Sequence, residues 1–87
     1  MEIEVDLYSP PPFGSHEKNL GRVKVILNKK MFVWLNVIRG KSCPFCKFQS
    51  LKLGEEYIPA MGWIEDDKME RKISDEVVRK LKDRGDL

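Results

Sequence analysis

The sequence predicts an α+β protein: an antiparallel β-meander of about five strands with a C-terminal amphipathic helix packed on one face. Through Leu53 the chain alternates apolar and polar side chains and is broken at short intervals by turn residues, as antiparallel strands are. Near the C-terminus the period changes, and Met69, Ile73, Val77 and Leu81 recur every four residues, the stripe of one helix face. With 87 residues there is room for a single domain, residues 1–87, built on one modest core.

Each element has its own grounds. In residues 2–8 the acids Glu2, Glu4 and Asp6 alternate with Ile3, Val5 and Leu7, so the three apolar side chains face a core and the acids face water. Pro10, Pro11 and Pro12 remove three successive backbone donors and hold the chain extended, which makes the stretch from Ser9 to about Asn19 a loop. A proline run beside an aromatic, here Phe13, also suits a docking segment for another protein. Alternation resumes in residues 22–27, with Val23, Val25 and Leu27 inward and Arg22 and Lys24 outward, and Asn28-Lys29-Lys30 forms a hairpin turn. Residues 31–38 are β-branched, aromatic and apolar on both faces apart from Asn36, the pattern of a central strand. Its second face, Phe32, Trp34 and Ile38, therefore needs cover from a helix or a second subunit. Residues 45–51 form a shorter strand after the Gly40 turn, and residues 57–64 contain Pro59 and Gly62, which confine them to a sheet edge or an irregular segment. The helix spans residues 67–84. Asp66 or Asp67 caps it, Glu70 stands three residues after Asp67 at capping-box spacing, and Gly85 closes it. Asp75 before Arg79 and Glu76 before Lys80 are i, i+4 pairs on its outer face, which gives these charges a structural role.

The formal net charge of +2 hides a segregated pattern. Between Lys18 and Gly54 there is no Asp or Glu, while nine bases accumulate: Lys18, Arg22, Lys24, Lys29, Lys30, Arg39, Lys41, Lys47 and Lys52. Both flanks are acidic, residues 1–17 at −4 and residues 55–87 at −3. Such a block concentrates positive potential on whatever surface it forms, and for a small domain nucleic acid is the commonest polyanion to answer it. Phe32, Trp34, Phe45 and Phe48 lie inside the block. Cations neutralise phosphates, and exposed rings stack unpaired bases. Burial in the core is the default alternative for any of these aromatics.

Cys43-Pro44-Phe45-Cys46 has three readings. As a dithiol, the spacing suits a thiol-disulfide oxidoreductase of glutaredoxin type, with Cys43 as nucleophile and Cys46 as resolver. That fold, however, places a helix after the motif, and residues 48–54 lack a sustained apolar stripe at helical spacing. As a metal site, the pair supplies half of a tetrahedral zinc shell and needs further ligands from a second chain, since His16 is the only histidine. As structure, one cysteine simply packs as a small apolar residue. A reducing compartment argues against a disulfide-stapled scaffold. No apolar run approaches the ~20 residues of a membrane span, and the N-terminus alternates instead of presenting a signal-peptide core, so a cytoplasmic location is expected.

From residue 21 to 82 the order of residue types resembles the stage V sporulation protein G (SpoVG) family of small bacterial regulators that bind DNA and RNA. The matching positions are Gly21-Arg22-Val23-Lys24-Val25, Phe32-Val33, Val37-Ile38, Gly40, Phe45, Phe48, Ser50, Lys52, Gly54, Tyr57 and Ile64, then the helix through Ile73, Val77 and Leu81. Gln49 stands where that family usually has Pro, and the cysteine motif and proline-rich loop are additions. The resemblance implies a homodimer built through strand edges, with nucleic acid contacted at Lys52, Arg71 and Lys72, and Lys68 beside them.

Together these readings point to a small non-catalytic regulator that binds DNA or RNA as a homodimer, without a cofactor. Arg39, Lys41, Lys47, Lys52, Lys68, Arg71 and Lys72 are its candidate phosphate contacts, and Phe45 and Phe48 its candidate stacking rings. The rivals are the oxidoreductase and a protein-interaction module that docks a partner on the face bearing Trp34.

Overall fold

A computed structural model of the chain describes residues 1–64, 66 and 68–87. It has the α+β architecture, with an antiparallel sheet ordered β1-β2-β3-β4, a separate hairpin β5-β6, and a C-terminal helix against the sheet. The elements are β1 (Ile3–Ser9), β2 (Asn19–Leu27), β3 (Met31–Ile38), β4 (Phe45–Phe48), β5 (Ser50–Leu53), β6 (Glu56–Pro59) and α1 (Met69–Asp83).

The β2–β3 hairpin is the spine. Leu27 pairs with Met31, and the turn between them closes through Lys30 N–H to the Leu27 carbonyl at 3.1 Å. Asn28 (φ 53°) and Lys29 (φ 55°) both lie in the left-handed region, the conformation whose twist matches the flanking strands. Asn28 also ties down β1: its N–H donates to the Glu2 carbonyl at 2.8 Å, and its side-chain oxygen accepts from Glu2 N–H at 2.9 Å.

Period-2 alternation sends Val23, Val25, Leu27, Val33, Leu35, Val37, Cys46 and Phe48 to one side, where they pack with Ile73, Val77, Val78 and Leu81 of α1. Full burial of each large apolar side chain contributes roughly 1.5–3 kcal/mol. β1 departs from the expected alternation. A register shift between Val5 and Leu7 leaves Ile3, Val5 and Tyr8 against the core and turns Leu7 outward, 55% exposed. A second bulge lies at Asn19/Gly21, where Gly21 has φ 111° and any Cβ would collide with the Ser9 carbonyl oxygen.

The last part of the meander also differs. The expected strand 45–51 breaks at Gln49 into β4 and β5, and the expected strand 57–64 shortens to β6, which pairs only with β5. Every residue of this hairpin is exposed. At the start of α1, Lys68 is the N-cap without a side-chain cap; Asp66 Oδ1 instead accepts Lys68 N–H at 3.2 Å. The expected box from Asp67 lies outside the described residues, and Glu70 turns toward β4. At the other end Gly85 (φ 82°) closes the helix, with Asp86 N–H returning to the Leu81 carbonyl at 2.9 Å. On the outer face Glu76 pairs with Lys80 as expected, whereas Arg79 binds Glu76 and Asp83 and not Asp75. The Arg79 hydrogen bond holds the Glu76 carboxyl below its ordinary range.

Side chains of α1 satisfy the outward backbone groups of both edge strands. On β4, Cys46 N–H donates to Ser74 Oγ at 2.8 Å and Phe48 N–H to Glu70 Oε1 at 3.4 Å. On β1, Lys80 Nζ donates to the Ile3 carbonyl at 2.6 Å, and the Arg84 guanidinium reaches the Val5 carbonyl at 3.3 Å. The edge-to-edge dimer that the SpoVG resemblance implies would have to displace these bonds. Ser74→Ala leaves the Cys46 N–H buried without an acceptor, so it should lower unfolding free energy by about 1–3 kcal/mol. Glu70→Gln keeps an acceptor for Phe48 N–H and should cost less; urea denaturation of the two variants checks the order.

Candidate nucleic-acid interface

The same alternation that fills the core leaves the opposite side of the sheet without a covering element among the described residues. Across that side the register places Leu7, Lys24 and Trp34 in one row and Ser9, Arg22, Asn36 and Lys47 in the next. Ile26 and Phe32 pair beyond the first row, and Ile38 and Phe45 beyond the second. An antiparallel sheet that faces water on one side ordinarily carries polar residues there. Here Phe32 is 61% exposed and Phe45 37% exposed, with Trp34, Ile26 and Ile38 half-buried between them. The second face of β3, expected to be covered, is thus left open by the chain itself.

Its charge is divided: Glu4 pairs with Ile26 at the β1 side, and bases prevail toward β4. Lys24 Nζ sits 4.7 Å from the Phe32 ring centroid and 3.4 Å from the Asp6 carboxylate, so this ammonium is shared between a ring and an acid of β1. Lys29 is likewise answered by Glu2 at 3.7 Å. Among the described residues Arg22 and Lys47 have no acidic partner.

The sequence-predicted site residues separate into groups. Lys47 and Phe45 lie on the open face. Arg39 and Lys41 lie beside it in the β3–β4 turn, where Gly40 abuts the Phe45 ring, and both line a cleft of about 580 Å³ with Tyr8, Cys43, Lys82 and Asp86. Burial, with Asp86 nearby, raises the Tyr8 hydroxyl above its ordinary range, and that hydroxyl donates to the Leu20 carbonyl. Lys52 stands on the separate hairpin with its ammonium 5.9 Å from the Tyr57 ring centroid. Lys68, Arg71 and Lys72 are exposed at the start of α1, in the layer on the other side of the sheet. They do not join Lys47 and Phe45 on one surface.

Phe48 is a correction. Only 5% exposed, it faces α1 and stacks on Trp63 with ring centroids 5.9 Å apart, so no base can reach it. Two residues from Phe48 in the alternation, Cys46 points the same way. Arg22, Lys24, Phe32 and Trp34, members of the basic block not singled out as contacts from the sequence, also lie on this face. The signal was present, since alternation turned Arg22 and Lys24 outward and the Asn28 turn fixes which β3 residues they meet.

The cysteine motif leads into a strand, not a helix. Cys43 is exposed and Cys46 is buried, and burial pushes the Cys46 thiol up to about 12 from an ordinary 9.0. A buried thiol that stays protonated near neutral pH is a poor resolver, and no helix N-terminus follows Cys43 to stabilise its thiolate. Among the described residues, no three His, Cys, Asp or Glu side chains gather as a metal shell requires. No described helix is long and apolar enough to cross a membrane.

Compared with protein-family models, curated proteins and solved structures, the chain finds no match in any of the three.

The thiol geometry has a direct readout. A soluble alkylating reagent should modify Cys43 in the native protein and Cys46 only after unfolding, as peptide mapping by mass spectrometry will show. The sign of the pH effect follows from the raised Cys46 value. The unfolded chain loses this proton first, so stability should fall as pH climbs from about 9 toward 12. Cys46→Val should flatten that slope, leaving the smaller alkaline contribution of Tyr8.

Proposed function

We propose that this chain is a small non-catalytic regulator that binds nucleic acid on the open face of its four-stranded sheet. The observation that carries this reading is the uncovered face itself, where exposed rings lie beside Arg22 and Lys47, two cations with no acidic partner among the described residues. Arg22 and Lys47 contact phosphates, and Arg39 and Lys41 extend the positive rim past Phe45. The likeness of residues 21–82 to the SpoVG family points to the same activity. With both edges of the larger sheet occupied by α1, the homodimer which that likeness implies has the exposed β5–β6 hairpin as its seat, where Leu51, Leu53 and Tyr57 offer apolar surface.

A gel-shift series across salt concentrations tests the assignment. Affinity should fall steeply as salt rises, and Arg22→Glu or Lys47→Glu should each weaken binding by roughly tenfold while lowering the salt slope by about one. Arg71→Glu and Lys72→Glu, on the far layer, should change affinity much less. Absence of binding at low salt, or loss confined to the helix variants, overturns the reading.

A further inference from the structure

We propose that the strand held on this face is unpaired, and that the cleft beside Trp34 seats one of its bases. The inference rests on the nucleic-acid reading above and narrows it to a substrate class and a position.

Phe32 and Trp34 stand on one face of β3 two residues apart, which separates them by about 7 Å along the strand. Bases in a duplex stack at about 3.4 Å per strand and turn only their edges to a protein, so rings on a flat sheet gain nothing from them. An extended single strand splays its bases, and each exposed ring then meets a base face. The two rings are not equivalent. One side of Phe32 is occupied by the Lys24 ammonium, which Asp6 holds in place, whereas Trp34 borders open space.

That space is a cleft of about 350 Å³ lined by Ser9, Arg22, Trp34 and Gln49. An indole forms its apolar wall. Around it stand a hydroxyl, a guanidinium and a carboxamide, which together donate and accept hydrogen bonds as a base edge requires. Gln49 reaches this position because the chain leaves the β4 ladder there, its carbonyl accepting Ala60 N–H at 2.9 Å where the hairpin begins. Lys47 and Asn36 pair in the adjoining row and lie on the path of the backbone. On the opposite layer, by contrast, Arg71 and Lys72 share the helix surface with Asp75, Glu76 and Asp83, a mixed field that gives a duplex no continuous basic track.

The test uses the full chain with oligothymidylate, oligouridylate and a self-complementary duplex of equal length. The single strands should bind at least roughly tenfold more tightly than the duplex, and Gln49→Ala should weaken single-strand binding by about five- to tenfold. In a Trp63→Phe background the remaining indole is Trp34, and its emission should be quenched by the single strands. Should that background fail to fold, the strand preference and the Gln49→Ala effect are read in the parent protein and decide alone. Equal affinity for single strand and duplex, or single-strand binding that Gln49→Ala does not weaken, overturns this proposal and leaves the broader reading standing. Lack of binding to any of the three removes both. A Trp34 emission shift driven by protein concentration alone marks the face as a contact between copies and likewise overturns the proposal.

Discussion

One helix closing both rims of the sheet is the constraint on which the remaining structure depends. Four strands span about 14 Å from first to last, and the 15 residues of α1 extend about 22 Å, so a single helix is long enough to pass over all of them. Its buried stripe of Ile73, Val77 and Leu81 supplies adhesion. Direction comes from the polar groups beside that stripe: Ser74 and Glu70 accept from the outward N–H groups of β4, and Lys80 and Arg84 donate to the outward carbonyls of β1. An unpaired edge is a template for another strand, and here the Cys46 and Phe48 N–H groups and the Ile3, Val5 and Asp6 carbonyls are engaged within the chain. What the helix cannot cover is the far side of the sheet. On the four-stranded sheet the surface left open is therefore a face; unpaired edges remain on the separate β5–β6 hairpin.

Charge follows the same layering. Asp6 of β1 and Glu2 just before that strand answer Lys24 and Lys29, and Glu76 and Asp83 of α1 pair with the helix's own bases. Arg22 and Lys47, from strands that contain no acid at all, are left on the open side. Segregation along the sequence thus becomes segregation by layer, though incompletely. Lys52 leaves with the hairpin, and Arg39 and Lys41 are carried to the sheet's end by the β3–β4 turn. Linear proximity within a basic block does not place its members on one surface; strand alternation decides which of them share one.

Alternation made the fold legible. The course of β2 and β3, the turn at Asn28 and the helix stripe all follow from period and turn chemistry, because each is a local property of the residues involved. The shift in β1 was not legible, since a bulge inserts one residue with no change in composition and exchanges the roles of Leu7 and Tyr8. The break at Gln49 was hidden for a related reason: the residues before and after it pair with different partners, β4 with β3 and β5 with β6, which the pattern of residues 45–51 does not contain. The candidate face was half visible. Its residues were individually predicted to point outward or to need cover, but joining Lys24 to Trp34 and Lys47 to Asn36 requires the pairing register, which single-strand patterns do not contain.

The cysteine motif and the open face are two consequences of one register. In β4 the side chains alternate Phe45 out, Cys46 in, Lys47 out, Phe48 in. A slip of one residue would exchange the sets, exposing Cys46 beside Cys43 and burying the Lys47 ammonium in the core. The bond from Cys46 N–H to Ser74 Oγ and the packing of Phe48 on Trp63 both hold the observed register. A dithiol site would need both sulfurs on one accessible surface, and a basic, aromatic face needs Phe45 and Lys47 turned away from α1. The strand cannot satisfy both. Because burying an unpaired ammonium costs far more than burying a neutral thiol, the arrangement that shelters Cys46 is the one the chain adopts, and the same choice presents Lys47 and Phe45 to solvent.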